Sequence, residues 1–257
     1  DDSLAHFPIS TEYLCVFFMI ASSLPFIRYV QLTSGNFKAT FFDSQVRAFL
    51  IIIISITVIL FSWLMFQQTH SIEYALRKTL FNGVSILTGT GYSSDNYMLW
   101  GSFPISIFFV IGLIGGCAGS TTCSIKVFRF QILFSAIGSQ IKQMHFPSAV
   151  VATRYEGKRV SVDIVSSVIA FFILFFASLF LIALALSATG LDFVTAISGA
   201  VSTLANIGPG LGERIGPIGN YAELNNVAKL ILIFSMFVGR LELMVVYVLF
   251  TLTFWRG

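Results

Sequence analysis

Thr88, Gly89, Thr90, Gly91 and Tyr92 place two glycines one residue apart among hydroxyl-bearing side chains, in a chain that is otherwise mostly hydrocarbon. Backbone carbonyls aligned along an axis can replace the water around a cation, and rings of them discriminate between cations. Such alignment needs backbone angles that glycine reaches without a Cβ penalty. Asn206, Ile207, Gly208 and Pro209 offer a second wall of the same kind. The plainer alternative is that Gly91 and Gly208 make ordinary surface turns. A phosphate cradle at Gly208, Gly210 and Gly212 lacks the strand, turn and helix that such a loop needs around it.

Two further features could do chemistry. In GLIGGCAGSTTCSIK, ten small or hydroxyl-bearing residues interrupt an apolar run: Gly115, Gly116, Cys117, Ala118, Gly119, Ser120, Thr121, Thr122, Cys123 and Ser124. They predict a broken membrane helix with its break near mid-bilayer and few packing contacts to hold it. Close helix packing through small residues is the competing explanation. Arg240 stands near the middle of the last apolar run. A charge at such a depth costs about 2.5–3.5 kcal/mol on insertion scales and faces a cavity or a partner. Glu242 lies two residues on and so points elsewhere on a helix. That leaves the carbonyls and hydroxyls of the broken segment, or an acid elsewhere in the fold.

Residues for other chemistries are scarce. Cys15, Cys117 and Cys123 have no metal-site spacing and read as buried small hydrophobes. His6, His70 and His145 lie far apart, so no hydrolytic or metal motif forms, and the reading is of a protein that is not an enzyme and carries no cofactor. A net charge of +3 with no basic face argues against nucleic acid.

The elements that must position these residues belong in a membrane. Of 257 residues 56% are hydrophobic and 11% charged, with mean hydropathy +0.87; soluble domains carry about 45–50% and 25%. Apolar runs near 13–29, 49–66, 103–137, 160–186 and 227–254 are each about as long as a bilayer crossing. Between them, residues 72–87 and 192–204 are too short and too polar to cross, and Asp192 is a plausible helix N-cap. Both read as re-entrant helices whose chain returns as an extended segment, which needs burial in protein or a watery cavity. A shift of 117 residues superposes Val84 on Val201, Ser85 on Ser202, Leu87 on Leu204 and Gly91 on Gly208, so the unit occurs twice. The FPI of residues 7–9 recurs at 103–105, with Asp1, Asp2 and Asp95 upstream, a trace of a third unit. The chain opens without Met or a leader and is expected to start downstream of another such loop. Residues 1–44 then end a preceding unit, and 45–145 and 146–257 are successive units.

Arg28, Lys38, Arg47, Lys142, Arg154, Lys158 and Arg159 fall in links on one side, against Arg77, Lys78 and Arg214 on the other. The first set marks the cytoplasmic face.

LTGTGYSSDNYMLW, GGCAGSTTCSIKVFRF, ANIGPGLG and VGRLELMVVYVLFTLTFWR, in that order, resemble the last two of four pore units in the Trk/Ktr/HKT potassium transporter superfamily. The likeness covers essentially the whole chain. It implies an all-α integral membrane protein of helix, re-entrant pore helix and helix units around a pseudo-fourfold pore for potassium. It also implies a homodimer in the bacterial cytoplasmic membrane, surrounded by membrane lipid, and a cytosolic nucleotide-binding regulatory ring of the TrkA type. Gly91 and Gly208 would belong to the filter, 115–124 to an intramembrane gating loop below it, and Arg240 would approach that loop. A non-conducting membrane sensor or scaffold of the same architecture is the rival.

Overall fold

The computed structural model describes residues 4, 7–35, 43–67, 71–148, 151–241, 243–249, 251 and 254–255. Asp1, Asp2, His6, Lys38, His70 and Glu242 lie outside the described residues.

Among the described residues, two helices are long and apolar enough to cross a membrane unbroken: α3 (Ser44–Phe66, 23 residues) and α7 (Val162–Ala188, 27 residues). Each starts at a side-chain cap that satisfies otherwise orphaned amides. The Asp43 carboxylate accepts from the Gln45 and Val46 amides, and the Ser161 hydroxyl accepts from the Ile164 amide. Each is followed by a short helix that turns back towards it. These are α4 (Ile72–Leu87, 16 residues) and α8 (Phe193–Leu204, 12 residues). At about 1.5 Å per residue neither crosses a bilayer core. Asp192 caps α8 by accepting from the Thr195 amide at 3.0 Å, and hydrogen bonding from Thr195 holds its carboxyl below the usual carboxylate range.

Burial explains how these short helices tolerate polar residues. Thr79, Asn82 and Ser85 of α4 and Thr195, Ser198, Ser202 and Thr203 of α8 are buried. Their side chains make bonds inside the fold, as when Thr203 Oγ1 donates to Gly199 O at 2.7 Å and shares a 2.9 Å bond with Ser235 Oγ. Apolar partners complete the fit. Phe49, Leu60, Leu64, Phe81 and Leu87 form a core between α3 and α4, and Leu186, Ala200, Ala228 and Leu232 one between α7, α8 and the later helix α9 (Asn226–Arg240). Ile51, Ile54 and Val58 of α3 and Ile173, Leu181 and Leu184 of α7 remain exposed, as side chains facing lipid would.

After each return segment comes a helix in two pieces. In the first unit, α5 (Ser102–Gly112) and α6 (Val127–His145) flank the irregular segment 113–126, where the sequence predicts the break. The other two runs expected as single crossings are broken as well. Run 13–29 is α1 (Ile9–Ser22) and α2 (Phe26–Thr33), bent by 93°, and run 227–254 includes α9 (Asn226–Arg240) and α10 (Leu243–Leu249), bent by 106°. Chemistry at the first bend is local: the Ser22 and Ser23 hydroxyls both donate to Met19 O, competing with the helical ladder, and Pro25 has no amide to continue it. At the second, Arg240 occupies the last turn of α9 rather than mid-helix, where its charge complements the helix dipole.

A small sheet accompanies the helices. Arg154–Tyr155 (β1) and Lys158–Arg159 (β2) pair antiparallel around Glu156 (φ 49°) and Gly157 (φ 77°), the positive-φ pair of a tight hairpin turn. The Ser44 hydroxyl donates to the Glu156 carboxylate at 2.8 Å, and Arg28 pairs with Asp43. Arg28 and the hairpin's Arg154, Lys158 and Arg159 therefore gather at the α2–α3 end of the molecule.

Candidate functional site

The two return segments repeat each other in backbone detail. Thr88 and Ala205 cap α4 and α8 with nearly identical torsions, φ −83°, ψ −7° and φ −84°, ψ −7°. The Gly89 amide donates to Ile86 O at 3.1 Å, as the Asn206 amide does to Thr203 O at 3.1 Å. The Thr90 amide donates to Ser85 O at 3.0 Å, as the Ile207 amide does to Ser202 O at 2.8 Å. Left-handed residues then fall in the same register: Gly89 (φ 67°) with Asn206 (φ 54°), and Gly91 (φ 78°) with Gly208 (φ 115°). Asn is among the few residues besides glycine that enter this region readily. A positive φ at every second residue is the kind of backbone that lets successive carbonyls turn towards one side. Each strand starts at a helix C-terminus, whose partial negative charge favours a cation there.

Hydroxyls behind each strand hold it. Ser85 Oγ donates to Tyr92 O at 2.6 Å, and Ser202 Oγ and Tyr221 Oη donate to Gly208 O at 2.7 and 2.6 Å. The Thr88 and Thr90 hydroxyls share a 2.7 Å bond, and the Tyr92 side chain is half exposed. The two strands also meet. A Cβ added to Gly91 would lie 1.9 Å from Ile207 O and 3.0 Å from Pro209 Cδ. One added to Gly89 would have as its closest neighbours Asn206 O and Ala205 O, at 3.7 and 3.9 Å. Thus 88–92 and 206–209 form one constellation, to which Ala205 adds a carbonyl that the sequence reading omits. Gly208 has open space where a side chain would stand. The Gly210 amide is taken by Ile215 O at 2.7 Å and so is not free to hold a phosphate.

Residues 115–124 are irregular, as expected, but they are not loosely held. The Cys117 amide donates to Ser23 O, the Thr121 amide and hydroxyl to Ser22 O, and the Phe26 amide to Gly119 O. The Ala118 amide donates to the Gln45 side chain, and Ser124 Oγ to Gly112 O. Within the segment, Thr122 Oγ1 accepts from the Gly116 amide at 2.9 Å and bonds Ser120 Oγ at 2.8 Å. Gly115 and Gly116 allow close approach: a Cβ would come within 2.1 Å of Cys123 O at the first and 2.9 Å of Ser23 O at the second. Small residues here satisfy backbone groups that lipid could not, so the expectation of few contacts is corrected.

Arg240 reaches this segment. Its Nη1 donates to Cys123 Sγ at 3.2 Å, a thiol in place of the carbonyls and hydroxyls expected. Arg240, Cys123 and Ser124 line a cavity of about 250 Å³ together with Lys126, Arg129 and Phe171. The Arg129 guanidinium sits 3.7 Å from the Phe171 ring centroid. Lys126 and Arg129 escape the sequence reading, although VFRF just after the break is a legible sign of charge entering the membrane region. Gly239 escapes it too: a Cβ there would lie 2.0 Å from Leu204 O, so α9 rests directly on the end of α8.

Comparison with known proteins gives a consistent picture. The profile of the TrkH family, described as cation transport protein, matches residues 2–255. A TrkI potassium uptake protein of Halomonas elongata is 41% identical over 239 residues, covering 93% of this chain and 48% of that protein. TrkH of Escherichia coli K12 is 32% identical over 259 residues, covering all of this chain and 53% of that protein. The crystal structure of the potassium transporter TrkH from Vibrio parahaemolyticus superposes with a TM-score of 0.93 at 32% identity, over 99% of this chain and 55% of the other. The chain spans about half the length of the relatives it matches.

Proposed function

Because this chain belongs to the TrkH family of cation transport proteins, we propose that it supplies two neighbouring units of a potassium-uptake pore in the bacterial cytoplasmic membrane. Residues 45–145 and 146–257 are those units, and 1–44 complete a preceding one. Thr88, Gly89, Thr90, Gly91 and Tyr92 line the filter in the first, and Asn206, Ile207, Gly208 and Pro209 line it in the second. The observation that carries this reading is the paired left-handed backbone at 89 and 91 and at 206 and 208, in register behind two helix C-termini. Potassium is cargo, stripped of water by carbonyls that replace its hydration shell.

Residues 115–124 form a gate on the pathway beneath the filter, and Arg240 acts on it. Its guanidinium, with Lys126 and Arg129 on the same cavity, raises the energy of a passing cation in low dielectric. The whole protein works as a homodimer in membrane lipid, with a cytosolic nucleotide-binding regulatory subunit of the TrkA type. The basic α2–α3 end faces that subunit, in keeping with the positive-inside rule.

The test is growth on limiting potassium, and rubidium uptake per folded molecule, for the full-length protein in cells lacking their own potassium uptake. Rescue with saturable uptake is expected. A folded protein that carries no flux would favour the sensor or scaffold reading and overturn this one.

A further inference from the structure

Behind the first return segment lies a charged cluster that the filter reading does not use. Glu12 of α1 is 2% exposed, and its Oε1 accepts from Arg77 Nη1 at 2.7 Å and from Lys78 Nζ at 2.9 Å. Its Oε2 is buried and has no hydrogen-bond partner among the described residues. Arg77 and Lys78 of α4 are 8% and 6% exposed, and Arg77 Nε also donates to Glu73 at 2.8 Å. Lys78 Nζ makes one more bond, to Ser94 O at 2.7 Å. Asn82 continues the same line, donating to Ser94 Oγ at 3.2 Å and accepting from the Ser94 amide at 3.2 Å. Ser93 is held from two other sides: its carbonyl accepts from the Leu4 amide at 3.2 Å, and its hydroxyl donates to Pro217 O at 3.0 Å. Residues 93–94 immediately follow the strand 88–92, so whatever fixes them fixes where that strand ends.

The second unit does the equivalent job without charge. Moving 117 residues along, Lys78 becomes Thr195, Asn82 becomes Gly199 and Ser94 becomes Leu211. There a single hydroxyl, Ser198 Oγ, accepts from the Leu211 amide at 3.0 Å and donates to Leu211 O at 3.1 Å. A neutral clamp therefore suffices to hold a return segment. Buried ion groups are costly to desolvate and add little net stability over apolar packing. What the charged version adds is a fixed link from a third part of the chain, α1, to one side of the constellation.

We propose that Glu12, acting through Lys78, is a positioning residue that holds residues 93–94 and thereby sets the ion selectivity of the 88–92 strand. This rests on the filter reading above, and the test separates the two. In the full-length protein, Glu12→Gln keeps the side chain's size and removes its charge. Amide exchange across 88–95 should quicken by about tenfold while 205–211 is unchanged, and the rubidium-over-sodium uptake ratio should fall by about threefold or more. A purely structural role would lower the amount of folded protein and leave both readouts unaltered in what survives, which overturns the proposal. If Glu12→Gln is not recovered folded, Glu12→Gln/Lys78→Gln, which removes one charge of each sign, carries the same measurements. Failure of both to fold also overturns it. A parent protein without rubidium uptake defeats the transport reading alone, because the exchange measurement still decides whether Glu12 positions the segment.

Discussion

Glycine at position 91 answers to two constraints and glycine at 208 to one. Both have positive φ, which L side chains adopt at a cost. At 91 a Cβ would also enter the van der Waals shell of Ile207 O, whereas at 208 it meets nothing within 4 Å. Gly91→Ser should therefore displace both strands, and competing-ion uptake should show potassium preference falling before transport is lost. Gly208→Ala carries the torsional term alone, about 1–2 kcal/mol, and should be the milder change in folded yield and in selectivity. Equal potassium-over-sodium preference in Gly91→Ser and parent would count against 91 as a filter position. A second residue-scale test concerns Thr122, whose hydroxyl accepts from the Gly116 amide and bonds Ser120. Thr122→Val leaves that amide unpaired at a cost of about 1–3 kcal/mol, and rubidium flux should rise with little change in selectivity; an unaltered flux in folded protein argues against 115–124 as the barrier.

Among the elements, the short helices were legible because their polar residues break long apolar runs and their caps are explicit. The bounds Ile72–Leu87 follow from the sequence alone, and Asp192 caps α8 as its position suggests. Removing that cap in Asp192→Ala should cost about 1 kcal/mol, read as a lower unfolding midpoint in detergent. The sign with pH follows from the lowered carboxyl. Its contribution is present above the unfolded carboxylate range and disappears as pH falls through the folded value, so the two proteins should converge in acid. The bend in run 227–254 was not legible, because nothing in local composition distinguishes a helix that stops at Arg240 from one that continues, whereas Ser22, Ser23 and Pro25 were a legible sign of the first bend that reading 13–29 as one crossing passed over. At the first bend two serines share one carbonyl and Pro25 offers no amide; at the second, Gly239 lies against Leu204 O one residue before the helix ends. The charged cluster was hidden for a related reason. Arg77 and Lys78 look like ordinary link charges until Glu12, some 65 residues upstream, is folded against them.

For the molecule as a whole, the segment 115–124 is where three broken helices meet. Ser22 and Ser23, at the α1–α2 bend, accept its amides on one side, and Arg240, at the α9–α10 bend, reaches Cys123 on the other. Helix α1 spans from that junction to the Glu12 cluster behind 93–94, so a single rigid element touches both regions of interest. If Arg240 acts through the segment, Arg240→Ala should raise rubidium uptake per folded molecule by about threefold to tenfold, the effect of roughly 0.7–1.4 kcal/mol off a barrier. Deleting 115–124 should raise it as well. The double variant should then gain little beyond the larger single effect, because changes acting through one element do not add. Full additivity would sink the link between Arg240 and the segment even if both positions mattered.

The contact between Gly91 and the Ile207 carbonyl also has a genetic reading. The obstacle to a side chain at 91 is main chain, and every amino acid at 207 brings the same carbonyl. A screen for second-site suppressors of Gly91→Ser should accordingly recover no exchange at 207 itself, only changes that move the whole strand, for instance at Ser202 or Tyr221, which anchor it. The two return segments are in this way coupled at their point of contact, since no side-chain exchange at 207 itself can relieve a clash with its own carbonyl.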